Sequence, residues 1–186
     1  MKKKLILVSS VVLCLAIFQF GIASAFFTYC KSITNVFQAG TVKYNFTEEF
    51  CPPKNWNPGD CTPKIIHINN CGTKAIYVRF KLIPKWECNL PTSNIKYTLN
   101  DLNWVKVGDY YYYKKILGTT QEHPTSPTCI IGNLKVCFLS CSGNEYQGKK
   151  FTLEVKTEGI QAKNNSIPTC WNLSQSEINQ IGFEPY

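Results

Sequence analysis

The chain has 186 residues, of which 44% are hydrophobic, 13% aromatic and 17% charged. This charge content is too low, and the hydrophobic content too high, for an intrinsically disordered chain. Ten cysteines and ten prolines argue against a coiled coil or a long helical bundle. The net charge is +8, but Arg79 is the only arginine and the lysines are scattered. Because nucleic-acid recognition relies on arginine and on clustered charge, we expect no nucleic-acid partner.

The first 25 residues have the features of a signal peptide. Residues 2–4 are lysines, and an apolar run follows from residue 5 to residue 20. Small residues at Ala23 and Ala25 then predict cleavage before Phe26 by a signal peptidase. An uncleaved membrane anchor is the alternative, but the apolar run is shorter than the roughly 20 residues that span a bilayer. The sequence therefore predicts export.

The mature chain, residues 26–186, is long enough for a single domain with one hydrophobic core. Removal of three lysines with the signal leaves 17 basic and 12 acidic residues, a net charge of +5. A mildly basic surface of this kind suits association with an anionic cell-wall polymer or a membrane surface.

Alternation of apolar and polar residues predicts β-strands along the mature chain. The alternation places one side of each strand in a core and the other in water. Short clusters of Gly, Pro and Asn between the apolar runs predict turns. We therefore predict an all-β, antiparallel, jelly-roll-like or Ig-like sandwich of seven or eight strands. The strand candidates are residues 42–47, 65–68, 76–82, 110–116, 134–138 and 151–156. Residues 107–109 separate the apolar pair 104–105 from the tyrosine run, as the turn of a hairpin would.

One short helix is predicted near the C-terminus. Ser174 and Glu177 have the spacing of a capping box, in which each side chain binds the backbone of the other residue. Ile178 and Ile181 follow three residues apart, and Gly182 is a typical stop signal. The sequence therefore predicts about two helical turns after Ser174.

The cysteines of the mature chain predict disulfide bonds. Nine is an odd number, so at least one thiol is free or pairs with another chain. Disulfides are favoured over a zinc site because the chain is exported and has no Cys-x-x-Cys motif. A Cys51–Cys61 bridge across the proline-rich turn is one predicted pairing, and Cys61–Cys71 is the alternative. The disulfide candidates are Cys51, Cys61, Cys71, Cys88, Cys129, Cys137, Cys141 and Cys170, and Cys30 is the candidate intermolecular thiol.

No arrangement of residues typical of catalysis or of cofactor binding is found. His67 and His123 are the only histidines, and there is no His-Glu-x-x-His motif. A Gly-x-Ser-x-Gly elbow and a Gly-rich phosphate loop are also missing from the sequence. The tyrosine run 110–113 is interpreted as packing on a half-buried strand, with a carbohydrate-stacking surface as the alternative. We therefore expect no catalytic residues, no metal site and no cofactor.

Short motifs occur in order over most of the mature chain, at residues 25–28, 35–42, 56–60, 68–73, 76–79, 108–115, 144–149 and 158–162. Together they resemble the TasA/camelysin family. The resemblance implies a jelly-roll-like sandwich that is exported with a dedicated signal peptidase to the cell surface or biofilm matrix. Some relatives form fibres, and camelysin-type relatives are classed as surface metalloproteases. The chain departs from the family pattern in its cysteines, which relatives mostly lack.

The leading functional hypothesis is a secreted structural protein of the cell surface or biofilm matrix, which assembles into fibres. Its predicted partners are copies of itself or related matrix subunits. A camelysin-like surface metallopeptidase is the first alternative, suggested by the family resemblance alone. A surface adhesion module is the second, suggested by the mild positive charge and the tyrosines.

The segment 26–37 is predicted to be the assembly element. After cleavage it would begin with two phenylalanines, which are poorly suited to solvent, and it is able to add as a strand to a sheet edge of another copy. The alternative is that it folds back on its own chain as an ordinary first strand. The residues expected to fill pockets on the acceptor are Phe26, Phe27, Tyr29, Ile33 and Phe37.

Overall fold

The computed structural model describes residues 40–51, 53 and 55–186. In this part of the chain, eight strands form two four-stranded antiparallel sheets, which confirms the predicted all-β sandwich. Two short helices, α1 (Ser166–Trp171) and α2 (Gln175–Ile181), follow the last strand. The strands are β1 (Tyr44–Glu49), β2 (Cys61–Asn70), β3 (Ile76–Trp86), β4 (Ile95–Leu99), β5 (Trp104–Val107), β6 (Tyr110–Tyr113), β7 (Cys129–Phe138) and β8 (Phe151–Gln161).

The strand order interleaves distant parts of the chain. The first sheet has the order β1-β2-β7-β4, and the second has the order β5-β6-β3-β8. The two longest ladders join β2 to β7 and β3 to β8. Neighbours that are far apart in sequence, divided between two facing sheets, are typical of a jelly roll. Among the described strands, only β1–β2 and β5–β6 pair as consecutive strands, so most of the pairing is long-range.

The main core lies between the two sheets. Alternate residues of β2 and β3 point into it, and Ile66, Ile76 and Phe80 are fully buried. The Phe80 ring stacks on Tyr111 with 4.9 Å between ring centroids, and it meets the edge of Trp104 at the same distance. Tyr111 therefore supports the packing interpretation of the tyrosine run, since its ring belongs to this core.

A second core covers the outer face of the second sheet. Tyr77 and Tyr112 point away from the main core and pack beneath the two helices, against Trp171 and Ile181. The Tyr112 ring meets Trp171 edge-on at 5.6 Å between centroids. Because this sheet is covered on both faces, residues Ile76 to Phe80 are buried without interruption.

The predicted C-terminal helix is present as α2. The Ser174 hydroxyl accepts a hydrogen bond from the Glu177 N–H, and the Glu177 carboxylate accepts one from the Ser174 N–H. These two bonds satisfy amides that the first helical turn leaves without partners. Gly182 ends the helix at a φ of 69°, a left-handed conformation that glycine adopts at little cost. The first helix, α1, and strand β4 were not predicted.

Candidate functional site

The predicted cleavage site and assembly element lie outside the described residues. The structure therefore does not test the peptidase site, the donor strand or the intermolecular thiol. These residues are Ala23, Ala25, Phe26, Phe27, Tyr29, Cys30, Ile33 and Phe37.

A disulfide joins Cys61 of β2 to Cys137 of β7. The two residues are direct partners in the β2–β7 ladder, and their Cα atoms lie 4.0 Å apart. Both predicted pairings, Cys51–Cys61 and Cys61–Cys71, are therefore wrong. The alternative fails because β2 runs extended from Cys61 to Asn70, which places Cys71 about 30 Å away at the far end of the strand. The true partner is fixed by strand register, which local spacing does not reveal.

The other described cysteines are exposed free thiols. None of them lies in a core, so their presence is not explained by packing. Each is open to oxidation or to pairing with a cysteine of another chain. They are Cys51, Cys71, Cys88, Cys129, Cys141 and Cys170.

Strand β8 is the longest of the four edge strands. It has 11 residues, whereas β1, β4 and β5 have 6, 5 and 4. A sheet edge presents backbone N–H and C=O groups that have no strand to pair with, and a longer edge presents more of them. This makes β8 the strongest candidate for an interaction site in the described part of the chain.

The backbone of β8 alternates between groups that face β3 and groups that face outward. The N–H of Ala162 donates to the carbonyl of Ala75, so the even-numbered residues of this ladder are the ones whose backbone bonds to β3. The backbone N–H and C=O groups of the odd-numbered residues of β8 therefore point away from β3. Two of the outward carbonyls are occupied. Thr157 accepts from the Tyr44 hydroxyl at 3.0 Å, and Gln161 accepts from the Ser166 hydroxyl.

The first half of β8 is the open part of this edge. The outward N–H and C=O groups of Phe151, Leu153 and Val155 have no hydrogen-bond partner among the described residues. The side chains of Phe151 and Leu153 are half-buried at the margin of the space between the sheets. An incoming strand would therefore find both unpaired backbone groups and partly exposed apolar surface here.

A buried ion pair on the outer face of the second sheet was not predicted. Arg79 is 9% exposed, and its Nε and Nη2 atoms donate to Glu158 Oε2 at 2.9 and 2.6 Å. The guanidinium lies 3.9 Å from the centre of the Tyr110 ring and 4.8 Å from that of Trp171. Burial raises the pKa of Glu158, but the hydrogen bonds and charge of Arg79 outweigh it, so the pKa is lowered overall. Through its contact with Trp171, Arg79 helps to hold α1 on the sheet.

The two histidines are half-buried and have different neighbours. His67 Nε2 lies 2.9 Å from Glu49 Oε1, and the His123 ring packs against Tyr186 at 4.4 Å between centroids. In residues 40–51, 53 and 55–186, no group of three His, Cys, Asp or Glu side chains is placed to hold a metal ion.

No family model matches this sequence, and no curated protein matches it. The resemblance to the TasA/camelysin family is carried by the sequence motifs and stays a prediction. Within the described residues, no helix has the length and hydrophobicity to cross a membrane.

Proposed function

We propose that the chain is an exported structural protein of the cell surface or biofilm matrix that assembles into fibres by strand addition. The observation that carries this proposal is edge strand β8, with its unpaired backbone groups from Phe151 to Val155. An unpaired edge is a template for a strand from another chain, because new backbone hydrogen bonds complete the ladder. The motifs shared with the TasA/camelysin family support the same role.

The proposed donor is the segment 26–37 of another copy or of a related matrix subunit. Backbone hydrogen bonds to β8 would provide affinity, and alternate side chains of the donor would enter the margin of the core beside Leu153. The donor and acceptor surfaces are different, so the contact is head-to-tail. Such a contact gives filaments when successive copies do not close into a ring.

The proposed location is the cell exterior, reached after signal peptidase removes residues 1–25. The Cys61–Cys137 disulfide supports this location, because structural disulfides persist in oxidising compartments. The exposed thiols on the same molecule would also be able to cross-link neighbouring subunits there.

The test uses the purified mature chain, residues 26–186, and two variants of the proposed acceptor. Leu153→Pro removes an N–H that points away from β3, so it should prevent strand addition without breaking the β3–β8 ladder. Leu153→Ala is the matched control, because it shortens the same side chain and keeps the N–H. Electron microscopy and light scattering should show filaments for the mature chain and for Leu153→Ala, but monomers for Leu153→Pro.

Deletion of residues 26–31 tests the donor. The truncated protein should be a folded, soluble monomer, and its circular dichroism spectrum should match that of the mature chain. Filaments that form at the normal rate from the truncated protein or from Leu153→Pro would overturn the proposal. A mature chain that stays monomeric at all concentrations would overturn it as well.

A further inference from the structure

A cleft of about 340 Å³ opens beside β3 where the β5–β6 hairpin ends. The hairpin turns at Gly108, and Tyr110 makes its last pairing with β3, at Lys81. Strand β3 continues to Trp86, so from Leu82 onward it has no strand on this side within the described chain. The cleft therefore exists because the hairpin is shorter than the strand it pairs with.

Polar groups from both sheets line this cleft. Tyr97 comes from β4 in the first sheet, whereas Lys106, Asp109 and Tyr111 come from the hairpin in the second. The Tyr97 hydroxyl is buried and has no hydrogen-bond partner in the part of the chain that the structure describes. A buried polar atom without a partner is costly, and an ordered water or a bound group is one way to satisfy it.

The charges at the cleft are also unpaired. Lys81, Lys106 and Asp109 make no ion pair with any described residue. Lys106 Nζ instead lies 5.5 Å from the centre of the Tyr111 ring, at the cleft wall. The Lys81 ammonium lies over the Tyr110 ring on the outer face of the sheet, so Lys106 and Asp109 are the charged groups on the face that Tyr111 lines. The Lys106 ammonium has no carboxylate partner there and is free to face an anionic group.

We propose that this cleft binds a short anionic saccharide, with one sugar unit in the cleft. Tyrosine hydroxyls and Asp109 supply the donors and acceptors that sugar hydroxyls need, while Lys106 faces the negative group. The tyrosine rings provide the apolar wall that such sites combine with a few polar groups. The volume lies in the range of small-ligand pockets.

The protonation state of Tyr97 fits this role. Burial, and to a smaller degree the neighbouring Tyr111, raises the pKa of Tyr97. The hydroxyl therefore keeps its proton at neutral pH and can both donate and accept. In the absence of a ligand it contributes no hydrogen bond to the fold.

The test is a titration of the mature chain with D-glucuronate, followed by changes in backbone amide chemical shifts. We expect saturable shifts at Tyr97, Lys106 and Asp109, with a millimolar dissociation constant, and much weaker binding of uncharged D-glucose. Tyr97→Phe should weaken glucuronate binding about fivefold or more. Its unfolding midpoint should not fall, because the deleted hydroxyl has no partner in the free protein. Lys96→Gln, which alters an exposed residue of the same strand, is the control and should bind normally.

Further results decide the chemistry of the ligand. Lys106→Gln should remove the preference for glucuronate over glucose while leaving the fold intact. The proposal is overturned if neither sugar gives saturable shifts at about 50 mM. Equal binding of the two sugars by the unaltered chain, or normal binding by Tyr97→Phe, would overturn it too. A lower unfolding midpoint of Tyr97→Phe would show that the hydroxyl is needed by the fold and would also count against the site.

Discussion

Loss of the Cys61–Cys137 disulfide should destabilise the sandwich strongly. The bond connects the partner strands β2 and β7, which lie at the centre of the first sheet. The perturbation is the double variant Cys61→Ala/Cys137→Ala, which leaves no unpaired thiol at this position. Both residues sit on the outer face of the sheet, away from the main core, so the variant removes the cross-link without opening a core cavity.

The magnitude follows from the length of chain that the disulfide closes. Its two residues are separated by 76 positions. The chain-entropy model gives about 4.5 kcal/mol at 25 °C for a loop of this length, near the top of the range for native disulfides. For a domain of this size, each kcal/mol shifts Tm by about 2–4 °C, so the expected loss is roughly 9–18 °C.

The assay is urea denaturation of the mature chain, followed by tryptophan fluorescence. A reductant should lower the unfolding midpoint of the unaltered protein by the same amount as the double variant, and it should not affect the double variant further. Cys51→Ala is the matched control. Cys51 is an exposed free thiol, so its replacement should change the free energy of unfolding by less than about 0.5 kcal/mol.

Two results would refute this reasoning. The first is a double variant whose free energy of unfolding falls by less than about 1 kcal/mol, which would mean that the cross-link does not restrict the unfolded chain. The second is a large loss in Cys51→Ala, which would return Cys51 to the disulfide framework. Peptide mapping without reductant gives an independent answer, since Cys61 and Cys137 should be recovered as one linked pair.

Three further predictions concern packing, charge and capping. Glu158→Gln should cost about 2 kcal/mol at pH 7, because it leaves the buried Arg79 guanidinium without a carboxylate to balance its charge. The pKa of Glu158 is lowered in the folded protein. The ion pair therefore stabilises the fold above pH 4.5, the ordinary pKa of this carboxyl group, and its contribution is lost as the pH falls through the lowered pKa. The urea midpoints of variant and parent should therefore converge in acid. Gly132→Ala should cost about 1–3 kcal/mol by the same assay, since a Cβ atom there would lie 2.6 Å from Ile66 Cγ1. Ser174→Ala should speed hydrogen exchange in α2 while leaving the sheet amides protected.

The features that sequence predicted well are those that depend on near neighbours. The alternation over residues 76–82 and 151–155 predicted strands, because a strand's two faces are encoded in consecutive residues. The capping box at Ser174 is equally local, since its two partners are three residues apart. The two-residue turn at Gly108 followed from its position between two apolar runs.

The features that sequence did not predict depend on distant residues. Strand β4 is short, and its pairing with β7 decides its structure. Helix α1 contains Pro168, a poor helix former, and is held by contacts of Trp171 with Tyr112 and Arg79. A local preference does not identify an element that exists because of its tertiary contacts.

The proposed acceptor edge and cleft also depend on distant residues. The sequence predicted a sandwich, and a sandwich has edge strands. The apolar and polar residues of β8 alternate as they do in the interior strands, so only the sheet order identifies β8 as an edge. The cleft was not predicted, because it arises where β6 ends against a longer β3. Tyr97 is separated from Lys106 by nine residues and lies in the other sheet, so no spacing rule connects them.

The proposed acceptor edge and the proposed saccharide cleft lie on opposite sides of β3. Strand β8 pairs with one side of β3, whereas the cleft opens on the side where β6 ends. A strand added to β8 therefore leaves the cleft open to solvent, and fibres should still bind glucuronate. Leu153→Pro should lose assembly and keep saccharide binding, while Tyr97→Phe should do the reverse. If either substitution abolished both properties, the two sites would not be independent, and the assembly contact would have to reach the cleft.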